Sequence, residues 1–150
     1  MSRAMYHEYP ACFQFKTTVI QSRPGAVKLA RSAMYPAGGG QPSDRGSIAW
    51  DGGSAIILRV EREPDGIWHY IEDERLLEGE VLVAIDRGFR SVASQLHTDL
   101  HILNALIFKR FEGALVTGAQ IGLDGTARMD FALAGVDKSA LAAIEAEVND

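Results

Sequence analysis

Short runs of apolar and β-branched residues alternate with turn-forming residues through the first half of the chain. Glycine and proline, often beside aspartate, interrupt these runs about every 8–12 residues, a spacing typical of strands joined by tight turns. The pattern predicts strands at residues 13–21, 26–30, 46–50, 55–60, 67–71 and 81–86. Strands this short and regular indicate a small β-barrel or sandwich over roughly residues 10–86.

The period of the apolar positions changes near residue 88. From Phe89 to Phe111 apolar residues recur at intervals of three and four, which predicts a helix that Glu112 and Gly113 end with a left-handed cap. A β-hairpin follows at residues 115–121 and 127–133, and a last helix is predicted to open at residues 136–139 and run to Val148. The chain is therefore predicted to be α+β, with a division between residues 1–86 and 87–150.

Composition limits the possible partners and the compartment. The net charge of −5 argues against a globally basic nucleic-acid binder, so DNA is not an expected partner and any RNA contact must be local. The single cysteine excludes an internal disulfide framework and fits a reducing compartment. No apolar run approaches the roughly 18 residues of a membrane span, and the N-terminus lacks a signal-peptide pattern. We expect a cytoplasmic protein.

Two histidines on the predicted helix are the first candidates for chemistry. His97 and His101 are four residues apart, so both rings lie on one helix face, about one turn apart, where one metal ion can bind a nitrogen of each. Such a pair also arises by chance, and either ring can simply pack or cap. Asp99 is two residues from each histidine and points to another side of the helix, whereas His69 has a structural role in a strand.

The second candidate is a loop from Met34 to Gly46 that is too rich in glycine and proline to form a packed core. Gly38, Gly39 and Gly40 form either an ordinary surface turn or a backbone that approaches a ligand closely, with Gln41 supplying a donor and an acceptor. The loop is not a phosphate-binding P-loop, because no Lys-Ser/Thr pair follows the glycines.

Together these motifs resemble the alanyl-tRNA editing family, which includes the editing domain of alanyl-tRNA synthetase, its freestanding relatives and the second additional domain of threonyl-tRNA synthetase. The resemblance rests on Tyr-Pro-x-Gly-Gly-Gly-Gln-Pro-Ser-Asp-x-Gly at residues 35–46 and on His-Thr-x-x-His at residues 97–101. It extends from about Tyr9 to the end of the chain, and further matching stretches lie at residues 68–70, 77–86, 116–122 and 128–131.

The resemblance implies an N-terminal β-barrel packed on an α/β editing domain, and deacylation of tRNA(Ala) wrongly charged with serine or glycine. It implies that His97 and His101 hold Zn²⁺ together with a later Cys-x-x-x-His. It places Gln41 by the bound aminoacyl end, and Thr117 on the serine hydroxyl. A pocket that hydrogen-bonds this hydroxyl spares alanine, which leaves the buried polar group unpaired. The predicted substrate-binding residues are Gly38, Gly39, Gly40, Gln41 and Thr117.

The chain departs from the family pattern in its metal ligands. Cys12 precedes the glycine loop and no histidine stands four residues after it, so the Cys-x-x-x-His half of the zinc site is missing. Either the chain is a fragment or truncated copy, or another chain supplies the ligands, or editing is lost and the scaffold is kept. A truncated editing domain also leaves a sheet edge uncovered, which predicts dimerisation or poor solubility. Smaller departures are Ala37, where glutamate is usual, and Asp99, where a small apolar residue is usual.

Three functions follow from these observations. The first is a zinc-dependent hydrolase that deacylates misacylated tRNA(Ala), with His97 and His101 as its metal-binding catalytic residues. The second is a non-catalytic module that binds the acceptor end of aminoacyl-tRNA and needs no metal. The third is an editing-dead scaffold or oligomerisation domain, in which the histidines are surface residues.

Overall fold

A closed antiparallel barrel forms the first part of the protein, with its strands in the order β2-β3-β7-β6-β5-β8. The computed structural model describes residues 3–6, 11–133 and 138–150. Within these residues the elements are β1 (Arg3–Ala4), β2 (Gln14–Arg23), β3 (Ala26–Leu29), β4 (Arg31–Ser32), β5 (Gly46–Trp50), β6 (Gly53–Glu63), β7 (Gly66–Ile71), β8 (Gly79–Ile85), α1 (Arg87–Arg110), β9 (Val116–Ile121), β10 (Ala127–Phe131) and α2 (Lys138–Asn149).

The barrel forms because its strands alternate between inward apolar and outward polar positions. In β8, Val81, Val83 and Ile85 are buried, and in β2 Phe15 and Thr17 are buried between exposed neighbours. Each fully buried aliphatic side chain contributes about 1.5–3 kcal/mol. The barrel closes where β8 pairs with β2 on one side and with β5 on the other. The prediction of an α+β chain with an N-terminal barrel is confirmed, and the sandwich alternative is wrong.

The helix predicted from Phe89 to Phe111 is observed as α1, which begins two residues earlier. It begins there because the Asp86 carboxylate accepts a hydrogen bond from the Phe89 N–H at 3.0 Å, as an N-cap residue does. It ends at the predicted cap, where Glu112 and Gly113 have φ angles of 49° and 90°. The predicted opening of the last helix at residues 136–137 lies outside the described residues.

The chain divides into two units. Unit 1 comprises residues 1–38 and 42–91 and contains the barrel, whereas unit 2 comprises residues 39–41 and 92–150. In unit 2 the core consists of Ile107, Ala114 and Ile144, against which lie Leu103, Phe111, Phe131, Leu133 and Val148. Because three residues of the glycine loop belong to unit 2, this unit contains parts of both sequence motifs.

Unit 2 also has an open apolar groove of about 620 Å³. It is lined by side chains of α1, β10 and α2, among them Leu103, Ile107, Phe131, Leu141 and Ile144. Among the described residues, β9 and β10 pair as strands only with each other, and the Gly40 carbonyl meets β9 at the Ile121 N–H. Self-association of the chain stays a prediction. None of the helices in the described part of the chain is both long and apolar enough to cross a membrane.

Candidate active site

The two helical histidines face each other on α1. Their Nε2 atoms are 2.9 Å apart, and their ring centroids are 4.7 Å apart at an interplanar angle of 65°. Because α1 is a regular helix, residues 97 and 101 stand one turn apart on the same face. Both side chains are exposed, so their ring nitrogens are accessible to a ligand.

A small cavity of about 130 Å³ lies against this pair, and all its walls belong to unit 2. Its lining consists of two glycines of the loop, one face of α1 and the β9–β10 hairpin: Gly39, Gly40, His97, Leu100, His101, Ala119, Gln120, Ile121 and Met129. The structure therefore brings the tip of the glycine loop and both histidines to one cavity.

The approach of the loop to β9 requires glycine at position 40. Gly40 has a φ of 81°, and a Cβ there would overlap the carbonyl group of Ala119, lying 2.9 Å from its carbon. The Gly40 carbonyl accepts a hydrogen bond of 2.6 Å from the Ile121 N–H. At Gly39 an added Cβ would meet no atom within 4 Å. Gly40 is therefore the residue that lets the loop form one wall of the cavity.

Three of the predicted substrate-binding residues do not line this cavity. Gly38 belongs to unit 1, where its carbonyl accepts a hydrogen bond from the Tyr35 hydroxyl at 3.1 Å. Gln41 is half-buried in unit 2, and Thr117 is exposed on β9. Thr117 lies on the same strand face as Ala119 but two residues further along, a distance of roughly 7 Å.

The lining residues that were given no role from the sequence are Leu100, Ala119, Gln120, Ile121 and Met129. The hairpin that carries four of them was recognised as part of the family resemblance. What sequence reasoning lacked was the strand register, in which Met129 stands opposite Ala119. The three consecutive residues 119–121 line the cavity along the edge of β9, which alternation of side chains does not indicate.

The histidine pair fits half of a zinc site. Two imidazole nitrogens bound to a tetrahedral zinc at 2.0–2.1 Å lie roughly 3.3 Å apart, so the observed 2.9 Å requires only a small rotation of the rings. Among residues 3–6, 11–133 and 138–150, no group of three or more His, Cys, Asp or Glu side chains is placed to hold one ion. Asp99 accepts a hydrogen bond from the Gln95 side chain at 2.8 Å, and its exclusion as a ligand stays a prediction.

A buried ion pair holds the last part of the glycine-rich segment. Arg90, in the first turn of α1, donates from Nε to both carboxylate oxygens of Asp44 at 3.1 and 3.2 Å, and from a terminal nitrogen to the Ala33 carbonyl at 2.6 Å. The Tyr35 N–H donates to the same carboxylate at 2.7 Å. All four residues belong to unit 1. Sequence reasoning assigned no role to Arg90.

The sequence of the chain is similar to those of alanyl-tRNA editing proteins and alanine–tRNA ligases. No family model matches it. The alanyl-tRNA editing protein AlaX-M of Methanosarcina barkeri is 32% identical over 162 residues, which is 100% of this chain and 64% of that protein. The AlaX-M of Pyrococcus horikoshii is 34% identical over 110 residues, which is 71% of this chain and 49% of that protein. The alanine–tRNA ligase of Korarchaeum cryptofilum is 32% identical over 153 residues, or 99% of this chain and 17% of the ligase.

The chain thus spans about half to two thirds of the length of the AlaX-M relatives that it matches. These similarities agree with the motifs that carry the resemblance, at residues 35–46 and 97–101. The chain belongs to the alanyl-tRNA editing family.

Proposed function

We propose that the protein is a trans-editing hydrolase that removes serine or glycine from misacylated tRNA(Ala). The proposal is supported by two relatives that are named alanyl-tRNA editing proteins and are 34% and 32% identical to the chain over the aligned residues. The observation that carries it is the pair of imidazoles, 2.9 Å apart, on a cavity that Gly39 and Gly40 also line.

The cavity suits the chemistry of an aminoacyl ester. The ester is already activated, so the protein has mainly to hold it, orient it and bring water to its carbonyl carbon. About 130 Å³ gives room for a small aminoacyl group and an attacking water. At Gly39 an added Cβ would meet no atom within 4 Å, so the absence of a side chain there leaves room for a substrate beside the loop backbone.

In this proposal His97 and His101 hold Zn²⁺, and the remaining ligands come from outside the described residues. Bound zinc would polarise the ester carbonyl and favour ionisation of water. Thr117 would recognise the serine hydroxyl from the exposed face of β9. Such a contact rejects alanine, because an alanyl group leaves the threonine hydroxyl without its partner.

The test compares substitutions on neighbouring residues of α1. We expect His97→Ala and His101→Ala each to lower serine release from Ser-tRNA(Ala) at least 100-fold and to weaken zinc binding in a competition titration. Thr98→Ala is the matched control, because the Thr98 hydroxyl donates to the Ser94 carbonyl of its own helix, at 3.2 Å, and Thr98 does not line the cavity. Equal rates for wild type and both histidine variants, with zinc supplied, would disprove the role of the pair.

A second candidate function is a module that binds the acceptor end of aminoacyl-tRNA without catalysis. The observation that favours it is that the described residues supply only two close imidazoles for a metal. This alternative predicts that tRNA binding survives EDTA and that no serine is released at micromolar protein with zinc supplied. Release of serine that EDTA abolishes would exclude it.

A further inference from the structure

Two arginines stand at one end of the barrel, where three neighbouring strands begin or end. Arg45 directly precedes β5, and Arg87 follows β8 with only Asp86 between. Gly46 of β5 pairs with Ile85 of β8, and the Ile85 N–H donates to the Phe13 carbonyl, just before β2, at 2.8 Å. We call this end, formed by Phe13, Arg45, Asp86, Arg87 and Phe89, the arginine rim; all of it belongs to unit 1.

Both guanidinium groups of the arginine rim lie over phenyl rings. The Cζ atom of Arg45 is 4.2 Å from the Phe89 ring centroid, and that of Arg87 is 4.7 Å from the Phe13 centroid. These cation–π contacts orient the planar groups while both side chains stay exposed. Arg45 has a long ion pair with Asp86 at 3.4 Å, and within the described residues Arg87 has no carboxylate in ion-pair distance.

Two further cations continue from the arginine rim along the outside of the barrel. Lys16 is exposed on β2, three residues from Phe13, or roughly 10 Å. Arg31 lies beside it, since its guanidinium donates to the Lys16 carbonyl at 2.9 and 3.1 Å. Neither side chain is paired with a carboxylate in the part of the chain that the structure describes. Glu80, which stands opposite Thr18 on the neighbouring strand, is a nearby carboxylate.

Three barrel cations outside this surface are paired with carboxylates, whereas Arg62 donates to the Tyr6 hydroxyl at 3.0 Å. Arg23 pairs with Glu63 at 2.7 Å, Lys28 with Asp65 at 3.0 Å and Arg59 with Glu61 at 2.6 Å. The chain as a whole has a net charge of −5. Among the described residues, the arginine rim with Lys16 and Arg31 has four positive charges against Asp86 and the nearby Glu80, and forms a local positive surface on an acidic protein.

We propose that this surface binds the phosphodiester backbone of the RNA whose aminoacyl end enters the cavity; the identity of that RNA rests on the proposed function. Exposed guanidinium forks match phosphate oxygens in geometry as well as charge, and the rings beneath them fix their direction. An acidic protein that binds RNA requires a local cationic surface of this kind, because its overall field repels the backbone.

The experiment measures binding of uncharged tRNA(Ala) by fluorescence anisotropy between 50 and 200 mM salt. We expect Arg45→Gln/Arg87→Gln to raise Kd about tenfold or more at the lowest salt. The slope of log affinity against log salt should flatten by roughly 0.7–0.9 for each lost phosphate contact. Arg87→Gln alone should give an intermediate change. Thermal unfolding of each variant verifies that the barrel is intact.

Arg75→Gln is the matched control. Arg75 is also exposed, also lies over an aromatic ring, with Cζ 5.5 Å from the Trp50 centroid, and also has a 3.4 Å ion pair, with Asp73. Trp50 is at the other end of β5 from the arginine rim. We expect the Kd of Arg75→Gln to stay within twofold of wild type. The proposal would be overturned if Arg75→Gln weakened tRNA binding as much as the double variant does, or if the Kd of the double variant did not change.

Uncharged tRNA separates this proposal from the proposed function, because its binding requires no hydrolysis. Wild-type protein that does not bind tRNA at 50 mM salt would overturn the binding surface, as would tighter binding to anionic lipid vesicles than to tRNA. Binding that depends on Arg45 and Arg87 without any release of serine would reject the hydrolase and leave the surface established. Release of serine, together with tRNA binding that does not change when both arginines are substituted, would support the hydrolase and overturn the binding surface.

Discussion

At the scale of single residues, Gly40 shows how one missing side chain shapes the candidate site. It combines a left-handed backbone, with φ 81°, and direct contact between its position and the Ala119 carbonyl. The first property disfavours any other residue by about 1–2 kcal/mol. The second excludes a Cβ for steric reasons, whatever the backbone angle. Only the second property ties position 40 to the cavity.

Gly40→Ala is therefore expected to separate the loop from β9. The hydrogen bond from the Ile121 N–H to the Gly40 carbonyl should break, and hydrogen exchange of the Ile121 amide should accelerate at least tenfold. Gly79→Ala is the matched control, because Gly79 has the same φ of 81° but no atom within 4 Å of an added Cβ. Gly79→Ala should lose stability only through the backbone strain of alanine at a positive φ, and Ile121 exchange should not change. Unchanged Ile121 exchange in Gly40→Ala would refute the role of the close contact.

At the scale of elements, the buried pair of Asp44 and Arg90 joins the glycine-rich segment to the first turn of α1. Both side chains are nearly inaccessible, at 4% and 10% exposure, so neither charge is compensated by water. Removing one partner of such a pair costs about 3–5 kcal/mol, because the other is left buried and unpaired.

Arg90→Met is expected to lower the free energy of unfolding by about 3–5 kcal/mol, because it leaves the buried Asp44 carboxylate without its positively charged partner. Asp44→Asn/Arg90→Met should recover part of the loss, because the pair is then replaced by uncharged groups of similar size. Urea denaturation of the wild type, both single variants and the double variant gives the coupling energy. Strictly additive losses would show that the two side chains do not act as a pair.

The local sequence pattern predicted the secondary-structure elements, but it did not predict which strands pair or which side chains meet across the fold. The turns at Arg23-Pro24-Gly25 and Glu63-Pro64-Asp65-Gly66 and the helical period after Phe89 were readable, because they depend on neighbouring residues. Barrel closure was not, since β2 pairs with β8 about sixty residues away. Arg90 was missed for the same reason: an arginine on a helix reads as a surface residue until Asp44 is brought to it.

The part of the candidate site on α1 could be predicted from the sequence, whereas the residues of the glycine loop and of β9 that reach the cavity could not. The spacing of His97 and His101 fixes their convergence through helix geometry alone, and the resemblance indicated the glycine loop as its counterpart. Which loop residues reach the cavity depends on the register against β9, which places Gly40 beside Ala119 and leaves Thr117 beyond the lining. Register is set by tertiary packing and turn geometry, so a local pattern does not specify it.

At the scale of the whole molecule, the barrel contains a histidine that makes its stability depend on pH. His69 is fully buried, and desolvation lowers its pKa from 6.5 to about 4. Its Nδ1 faces the Val27 carbonyl at 3.3 Å, which can only accept, so Nδ1 carries the proton and Nε2 accepts from the Ser32 hydroxyl at 2.8 Å. The ring is therefore held neutral in the folded barrel.

Because the pKa is lower in the folded than in the unfolded chain, the unfolded chain binds the extra proton between pH 6.5 and 4. Above pH 6.5 the ring is neutral in both states, so it does not make the free energy of unfolding depend on pH. As pH falls from 6.5 to 4, the free energy of unfolding decreases. A shift of this size corresponds to about 3 kcal/mol at its lower end. Both tryptophans, Trp50 and Trp68, belong to barrel strands, so tryptophan fluorescence reports the unfolding of the barrel alone.

His69→Gln is expected to be less stable than wild type at pH 7.5, because the imidazole and its two hydrogen bonds are lost, but to lack this acid sensitivity. The difference in unfolding free energy between the two proteins should shrink by about 3 kcal/mol from pH 7.5 to 4. All other ionisable groups are present in both proteins, so the comparison isolates the effect of position 69. Parallel pH profiles would show that His69 is protonated without cost, and the assignment of a neutral buried ring would then be wrong.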